Sequence, residues 1–473
     1  MQRITMETLT KKKWLVMLTC ITIIALFLRL YKLDYQPMWL DEGATYFFVD
    51  RPFSELFLLA EQTPPLFYMI EHVMFTLFGK NEIAFRIVPA IAGALTIPLI
   101  CYLGKTVFDE RIGLLAALFL AISPFHIWYC QVARSYSLAL LFFVLTLIFV
   151  IKAMDSNDRK PWIISGIMAS LSLYFHFYSV IYLGIVGIYL VYERSIRKKI
   201  PIFRDNAIRM GLTSFILLSI PVICLGIIRV KSVSAGGAFW DRGIDLVYSF
   251  YYNAFYSNDI CLIVCLVLYF LSICLYVNSE KNGDNKVRLL LFFSIVPLMV
   301  FAVLSYRFGM NARYLMFVMP VLYVLVVSFF FFVKKPIKQC AIVAFILMII
   351  VCATPMLFDH YTEYDRADFR TAGYSLYDMT EDGDCVVYLP KAEDTMKGPL
   401  SFYYDNEKDH TTLRTIQDVS DLNELIDSHE YSNIFFVASF QNGWGVDIYL
   451  EFLNGDCENV LNAHLISIYK YTC

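Results

Sequence analysis

Lys11-Lys12-Lys13-Trp14-Leu15-Val16-Met17-Leu18-Thr19-Cys20 opens an apolar run that continues to Leu30. Three cations before such a run resemble a secretion signal. The run is long, however, and no small-x-small cleavage site follows it. It reads as an uncleaved first membrane helix with its N-terminus inside. Further apolar runs follow at about 83–103, 112–129, 136–154, 162–175, 178–192, 207–229, 260–277, 288–305, 313–333 and 339–357. Each approaches the roughly 17–25 residues that a spanning helix needs. The sequence thus predicts a polytopic α-helical membrane protein with about 11 spans, the two short runs at 162–192 forming a tight hairpin.

Composition agrees with that reading. Of 473 residues, 58% are hydrophobic and 17% charged, with a net charge of −3. A soluble domain carries about 25% charged residues. Nucleic-acid binding needs a basic face, so no nucleic-acid partner is expected. Most of the twelve cysteines lie in apolar runs, where they behave as small core residues. No Cys-x-x-Cys occurs, which argues against a thiolate zinc site. Cys385, Cys457 and Cys473 lie in the polar tail, where a disulfide is open and its pairing unreadable.

Charge sets the expected topology. The loops assigned to the inside hold about 20 Lys and Arg, and the longer outside loops about 8. This predicts a plasma-membrane protein with a cytoplasmic N-terminus and an extracytoplasmic tail. The tail, residues 358–473, reads as a small α/β domain separate from a membrane domain at 1–357. Cys385–Leu389 and Asn433–Val437 read as buried strands, Asp421–His429 as an amphipathic helix, and Leu465–Tyr471 as a last strand. Arg366, Asp368 and Arg370 read as a solvated connector.

The first external loop, 31–82, carries the densest chemistry. Met38-Trp39-Leu40-Asp41-Glu42-Gly43 sets two carboxylates just past the first span. Such a pair can act as a general base and orient a hydroxyl. The plainer reading is an acidic juxtamembrane loop beside a belt tryptophan. Thr63-Pro64-Pro65-Leu66-Phe67-Tyr68 then breaks any helix and starts an amphipathic stretch to Phe78, suited to the membrane surface. Arg86 enters the second span, where a charge faces a cavity or snorkels. Ser123-Pro124-Phe125-His126-Ile127-Trp128-Tyr129-Cys130-Gln131-Val132-Ala133-Arg134 closes the third span on the outer side. His176 ends the fifth span there, and Arg313-Tyr314 occupies the last outer loop; interfacial placement explains each equally well. Arginine's planar fork recognises phosphate. Lys231, Arg242, Phe239 and Trp240 in the loop at 230–259 suit either sugar stacking or an aromatic belt.

The order of these motifs is recognisable: Trp-x-Asp-Glu, Pro-Pro-Leu-x-Tyr, Gly-x-x-Glu-x-x-x-Arg, Ser-Pro-x-His-x-x-Tyr-x-Gln-x-x-Arg-x-Tyr-x-Leu, and Arg-Tyr-Leu before a proline. The chain resembles the GT-C glycosyltransferases of the dolichyl-phosphate-mannose protein mannosyltransferase type, the glycosyltransferase 39 group. That group is similar to the aminoarabinose transferases of lipid A. The resemblance is densest over residues 28–150. It implies a sugar donor on a polyprenyl phosphate and transfer at the outer face to a glycan, lipid or protein acceptor. Within it, Asp41 and Glu42 are the expected catalytic pair, and Arg86, Arg134 and Arg313 the expected phosphate ligands. Tyr68, His126, Tyr129, Gln131, His176 and Tyr314 are further substrate-binding candidates. Two departures stand out: Thr63 where many relatives have His, and Val132 where many have an acid. Loss of that acid weakens the case for a metal at the first-loop carboxylates. No cofactor is expected with certainty, and a divalent metal stays open. A flippase or transporter of polyprenyl-linked glycans is the competing class. It should show inverted repeats or paired broken helices, and neither is clear.

Overall fold

The structure is a computed structural model that describes residues 10–56, 63–156, 158–199, 201, 205–229, 241–279, 284–389, 398–404, 412–416, 419–440 and 446–473. Its elements begin with α1 (Lys11–Leu30), α2 (Leu40–Val49), α3 (Pro65–Phe78), α4 (Glu82–Val107), α5 (Glu110–Ala121) and α6 (Pro124–Cys130). There follow α7 (Tyr136–Ser156), α8 (Arg159–Phe175), α9 (Ser179–Val191), α10 (Asn206–Arg229), α11 (Ile244–Ala254) and α12 (Asp259–Val277). Then come α13 (Asn285–Leu304), a tight turn Ala312–Val318, α14 (Met319–Phe332) and α15 (Lys335–Thr362). The tail adds α16 (Phe369–Met379), β1 (Cys385–Leu389), α17 (Gly398–Tyr403), β2 (Thr412–Thr415) and α18 (Val419–Asp427). It ends with β3 (Asn433–Ser439), α19 (Leu450–Gly455), β4 (Glu458–Ala463) and β5 (Ile466–Thr472).

Among the described residues, nine helices are long and apolar enough to cross a membrane. The count is ten if α5 and α6 are one span bent by 62°. The bend follows from sequence: Ser123 caps the new helix by accepting from His126 N, and Pro124 stands at its first turn. The expected span at 162–175 is α8, with 17 residues at the short end of the spanning range. The protein is thus a multi-pass helical membrane protein with a small C-terminal sheet.

The chain divides into two compact units. The first takes its described residues from Met1–Tyr31, Ala60–Phe67 and Arg86–Leu357. The second takes them from Lys32–Leu59, Tyr68–Phe85 and Phe358–Cys473. Most of residues 31–82 therefore fold with the tail.

In the second unit the sheet order is β2-β1-β3-β5-β4. β1 runs parallel to β2 and β3, while β5 runs antiparallel to β3 and β4. Val387, Leu389, Leu422, Leu425, Phe436 and Leu453 form its core. Cys385, Cys457 and Cys473 are free thiols.

Two expectations are corrected here. The Asp-Glu stretch is helical, not loop: Trp39 is the N-cap of α2, and Asp41 and Glu42 lie in its first turn. Carboxylates there complement the unpaired N–H groups of a helix start. The stretch at 366–370 is no solvated connector. Arg366 is fully buried and Asp368 is 6% exposed. Asp368 caps α16 by accepting from Thr371 N.

Candidate active site

The second unit gathers its candidate residues around α2. Glu42 Oε2 accepts from Trp39 N at 3.3 Å and from Arg366 Nη1 at 2.9 Å. Both side chains of the Glu42–Arg366 pair are wholly buried. Arg366 Nη1 also reaches Pro37 O at 3.4 Å, and its Nε meets Asp365 Oδ1 at 3.2 Å. Asp41, one residue earlier, is half-buried. Adjacent helix residues point about 100° apart. The two acids therefore differ in role: Glu42 is anchored inward, and Asp41 remains partly exposed.

A second polar cluster fixes the chain entering α2. Glu82 Oε1 accepts from Tyr403 OH at 2.8 Å and from Arg370 Nη2 at 2.8 Å. Tyr403 OH in turn accepts from Met38 N at 2.9 Å. Arg370 also donates to the carbonyls of Asp34 and Tyr35. Gln36 Nε2 donates to His360 O and Glu363 O at 2.9 and 2.7 Å. α17 closes on the other side. A Cβ on Gly43 would stand 2.0 Å from Pro399 Cδ, so only glycine admits this approach. Tyr68 is buried, its ring 5.2 Å from that of Phe48.

The first unit gathers cations and aromatics. Asn311 caps the turn Ala312–Val318 by accepting from Arg313 N at 3.1 Å. The Arg313 guanidinium lies 5.8 Å from the Tyr136 ring centre and 5.3 Å from that of Tyr314. His176 packs among Tyr136, Tyr178 and Tyr314, at ring separations of 5.3, 5.3 and 6.0 Å. Its Nδ1 accepts from Tyr178 N at 3.2 Å, which leaves the ring proton on Nε2. Burial, then the charges of Arg134 and Arg313, push the imidazole down to about 3. His176 is therefore a neutral donor within the field of two guanidinium groups. Arg134 Nη2 lies 3.4 Å from Thr63 Oγ1, and Tyr129 joins through Tyr136 at 5.6 Å. Fixed cations with neutral donors have the chemistry to hold an anion. Arg86 belongs to this unit and is fully buried.

His126 and Gln131 serve α1 instead. His126 Nδ1 is 2.6 Å from Arg29 Nη2, and Arg29 also donates to Leu120 O and Ala121 O at 3.2 and 3.0 Å. Gln131 Nε2 donates to the carbonyls of Leu28, Arg29 and Tyr31. Gln131 thus satisfies carbonyls at the end of α1, and Arg29, held by His126, those at the end of α5. Lys231, Phe239 and Trp240 lie outside the described residues. The sequence reading missed Arg29 and Glu71, and took Arg366 for part of a connector. A charge inside an apolar run could have flagged Arg29, and an acid on an apolar helix Glu71.

Residues 62–225 match the family model for dolichyl-phosphate-mannose-protein mannosyltransferases. No curated protein sequence matches the chain at a significant level. Several solved structures share its fold. ArnT from Cupriavidus metallidurans bound to undecaprenyl phosphate aligns with a TM-score of 0.67 at 11% identity, over 98% of each chain. The Archaeoglobus fulgidus oligosaccharyltransferase AglB, in complex with an inhibitory peptide and a dolichol-phosphate, aligns at 0.56 and 12% identity. That match covers 90% of this chain and 69% of AglB. The mycobacterial arabinofuranosyltransferase AftD aligns at 0.58 and 10% identity, over 99% of this chain and 40% of AftD. The chain has the GT-C glycosyltransferase fold, and over residues 62–225 it matches the protein mannosyltransferase family that its motif order resembles.

Proposed function

We propose that the protein is a membrane glycosyltransferase that moves a sugar from a polyprenyl-phosphate carrier to an acceptor at the outer face of the membrane. The observation that carries this reading is the division of labour on α2. Glu42 is buried on Arg366, while Asp41 beside it stays half-buried at the helix start. One acid is fixed on a buried guanidinium, and the other keeps part of its surface exposed at the helix start.

Asp41 takes the proton of the acceptor hydroxyl as that oxygen attacks the anomeric carbon. The bond from that carbon to the phosphate oxygen breaks, and the anomeric centre inverts. Glu42 holds the turn that presents Asp41. Arg86, Arg134 and Arg313 bind the polyprenyl phosphate and stabilise the charge that develops as it leaves. His176 adds a neutral donor, and Tyr68, Tyr129 and Tyr314 are candidate sugar and lipid contacts. The matched family and the lipid-phosphate ligands of ArnT and AglB support a lipid-linked donor.

The test is transfer by purified protein in detergent, given a panel of radiolabelled polyprenyl-phosphate sugars. Wild type should release sugar from one of them, and folded Asp41→Asn should not. Full transfer by Asp41→Asn would remove Asp41 from the mechanism. Flipping of the lipid in vesicles by both proteins, with transfer by neither, would favour a transporter.

A further inference from the structure

Glu71 belongs to none of the motifs above, and it is the odd residue of α3. The helix runs Pro65-Leu66-Phe67-Tyr68-Met69-Ile70-Glu71-His72-Val73-Met74-Phe75-Thr76-Leu77-Phe78. Leu77 and Phe78 are exposed, and His72 Nδ1 lies 2.8 Å from Val49 O. Glu71 turns inward and has no exposure. Neither of its carboxyl oxygens has a hydrogen-bond partner among the described residues. The charged group that acts on it is Glu42, a like charge.

The nearby cations are already engaged. Arg366 is held by Glu42, Pro37 O and Asp365. Arg370 is held by Glu82. Lys80 Nζ sits 5.0 Å from the Tyr46 ring centre and 3.2 Å from Ser401 O. The remaining ionisable groups of the elements packed there are Asp41 and Tyr46 on α2, Tyr68 and His72 on α3 itself and Tyr403 on α17. A buried carboxylate with no donor, beside a second carboxylate, is strongly disfavoured. Burial first, and Glu42 second, push the Glu71 carboxyl well above its ordinary 4.5.

We propose that Glu71 is a positioning residue for the acid helix: buried without a hydrogen-bond donor in the same unit as Glu42, it serves as an uncharged acid, and placing a charge on it switches transfer off. The inference rests on the reading that α2 carries the catalytic base. With Glu71 neutral, Arg366 balances a single buried charge. When Glu71 gives its proton to bulk base, two carboxylates compete for one guanidinium. Glu42 shifts, and Asp41 on the same turn moves with it.

The experiment follows thermal unfolding and sugar transfer of the full chain across a pH series, for wild type, Glu71→Gln and Glu71→Met. The folded carboxyl keeps a proton that the unfolded chain releases above about 4.5. Wild-type stability therefore falls as pH climbs from that value, relative to both variants. Transfer by wild type should fall about tenfold per pH unit once Glu71 ionises. Glu71→Gln, the neutral isostere, should restore transfer at that pH and keep it at neutral pH. Parallel unfolding curves for all three proteins would overturn the proposal. So would loss of transfer at neutral pH in folded Glu71→Gln. Should both variants fail to fold, infrared spectroscopy of wild type decides: a protonated-carboxyl band at neutral pH supports the proposal and its absence overturns it. An active Asp41→Asn variant would refute the catalytic reading of α2, while the unfolding comparison would still report on Glu71.

Discussion

Arg366 Nη1 donates to Glu42 Oε2 at 2.9 Å, and both side chains are sealed from solvent. The pair joins the first turn of α2 to the start of the tail, 324 residues away in sequence. Removing one member leaves a buried charge alone, which costs about 3–5 kcal/mol. Arg366→Met should therefore lower the unfolding temperature sharply and abolish transfer. The double variant Arg366→Met/Glu42→Leu should recover much of the stability without recovering transfer. Thermal unfolding with a transfer assay on each variant checks this. Equal activity of the double variant and wild type would show that Glu42 has no part in presenting Asp41.

Gly43 offers a steric test of the same helix. Its missing Cβ is what lets Pro399 approach α2, and Gly43→Ala would bring that atom within 2.3 Å of Pro399 N. Backbone and a proline ring cannot step aside as a flexible side chain can. Overpacking of this kind costs about 1–3 kcal/mol. Gly43→Ala should lower stability by that amount, seen as a lower unfolding midpoint, and reduce transfer, because α2 must move. An unchanged midpoint would mean that α17 yields freely.

The sequence showed the elements whose signals are local. Apolar runs announced the spans, and continuous apolar strands announced β1 and β3. β5 was legible as well, within a residue at each end. β2 was not, because it has only four residues. β4 was missed because Glu458, Asn459, Asn462 and their neighbours show no buried alternation. Asp41 and Glu42 were legible as a pair, but not as a helix start. Arg366 was misread for a physical reason: its burial depends on a partner hundreds of residues away, which no local window contains. Glu71 lay inside a stretch read as amphipathic, and only its inward direction makes it notable.

Gln131 and His126 show how a motif residue can serve structure. Gln131 Nε2 reaches three carbonyls at the end of α1, and His126 meets Arg29. Replacing Gln131 by Leu would leave those carbonyls without this donor, at about 1–3 kcal/mol. The expected outcome is a lower unfolding midpoint with an unchanged KM for the lipid donor. A selective rise in that KM, with the midpoint intact, would return Gln131 to the substrate contacts.

Arg313 should discriminate between a point charge and a planar fork. It is 7% exposed and stands among Tyr136, Tyr314 and His176. Lysine keeps the charge and loses bidentate geometry and stacking. Arg313→Lys should therefore weaken donor binding by about tenfold or more, since a charged hydrogen bond contributes roughly 1.5–3 kcal/mol. Measured KM for the polyprenyl-phosphate sugar checks it. Unaltered kinetics would place the phosphate elsewhere.

His176 makes a prediction of opposite sign to that for Glu71. Burial and the charges of Arg134 and Arg313 depress its imidazole to about 3, from an ordinary 6.5. Below 6.5 the unfolded chain takes up a proton that the folded protein refuses, so unfolding is favoured as pH falls. The stability that neutral His176 contributes is complete above about 6.5 and is lost progressively towards about 3. A His176→Gln variant cannot protonate and should lack this acid slope between those limits. Its side-chain amide also supplies a neutral donor, so transfer near neutral pH should fall only modestly. Unfolding midpoints of wild type and variant across that window provide the measurement. Superimposable acid slopes would mean that His176 is protonated as readily in the folded protein as in the unfolded chain, and the cation pair around it would then need another neutral partner.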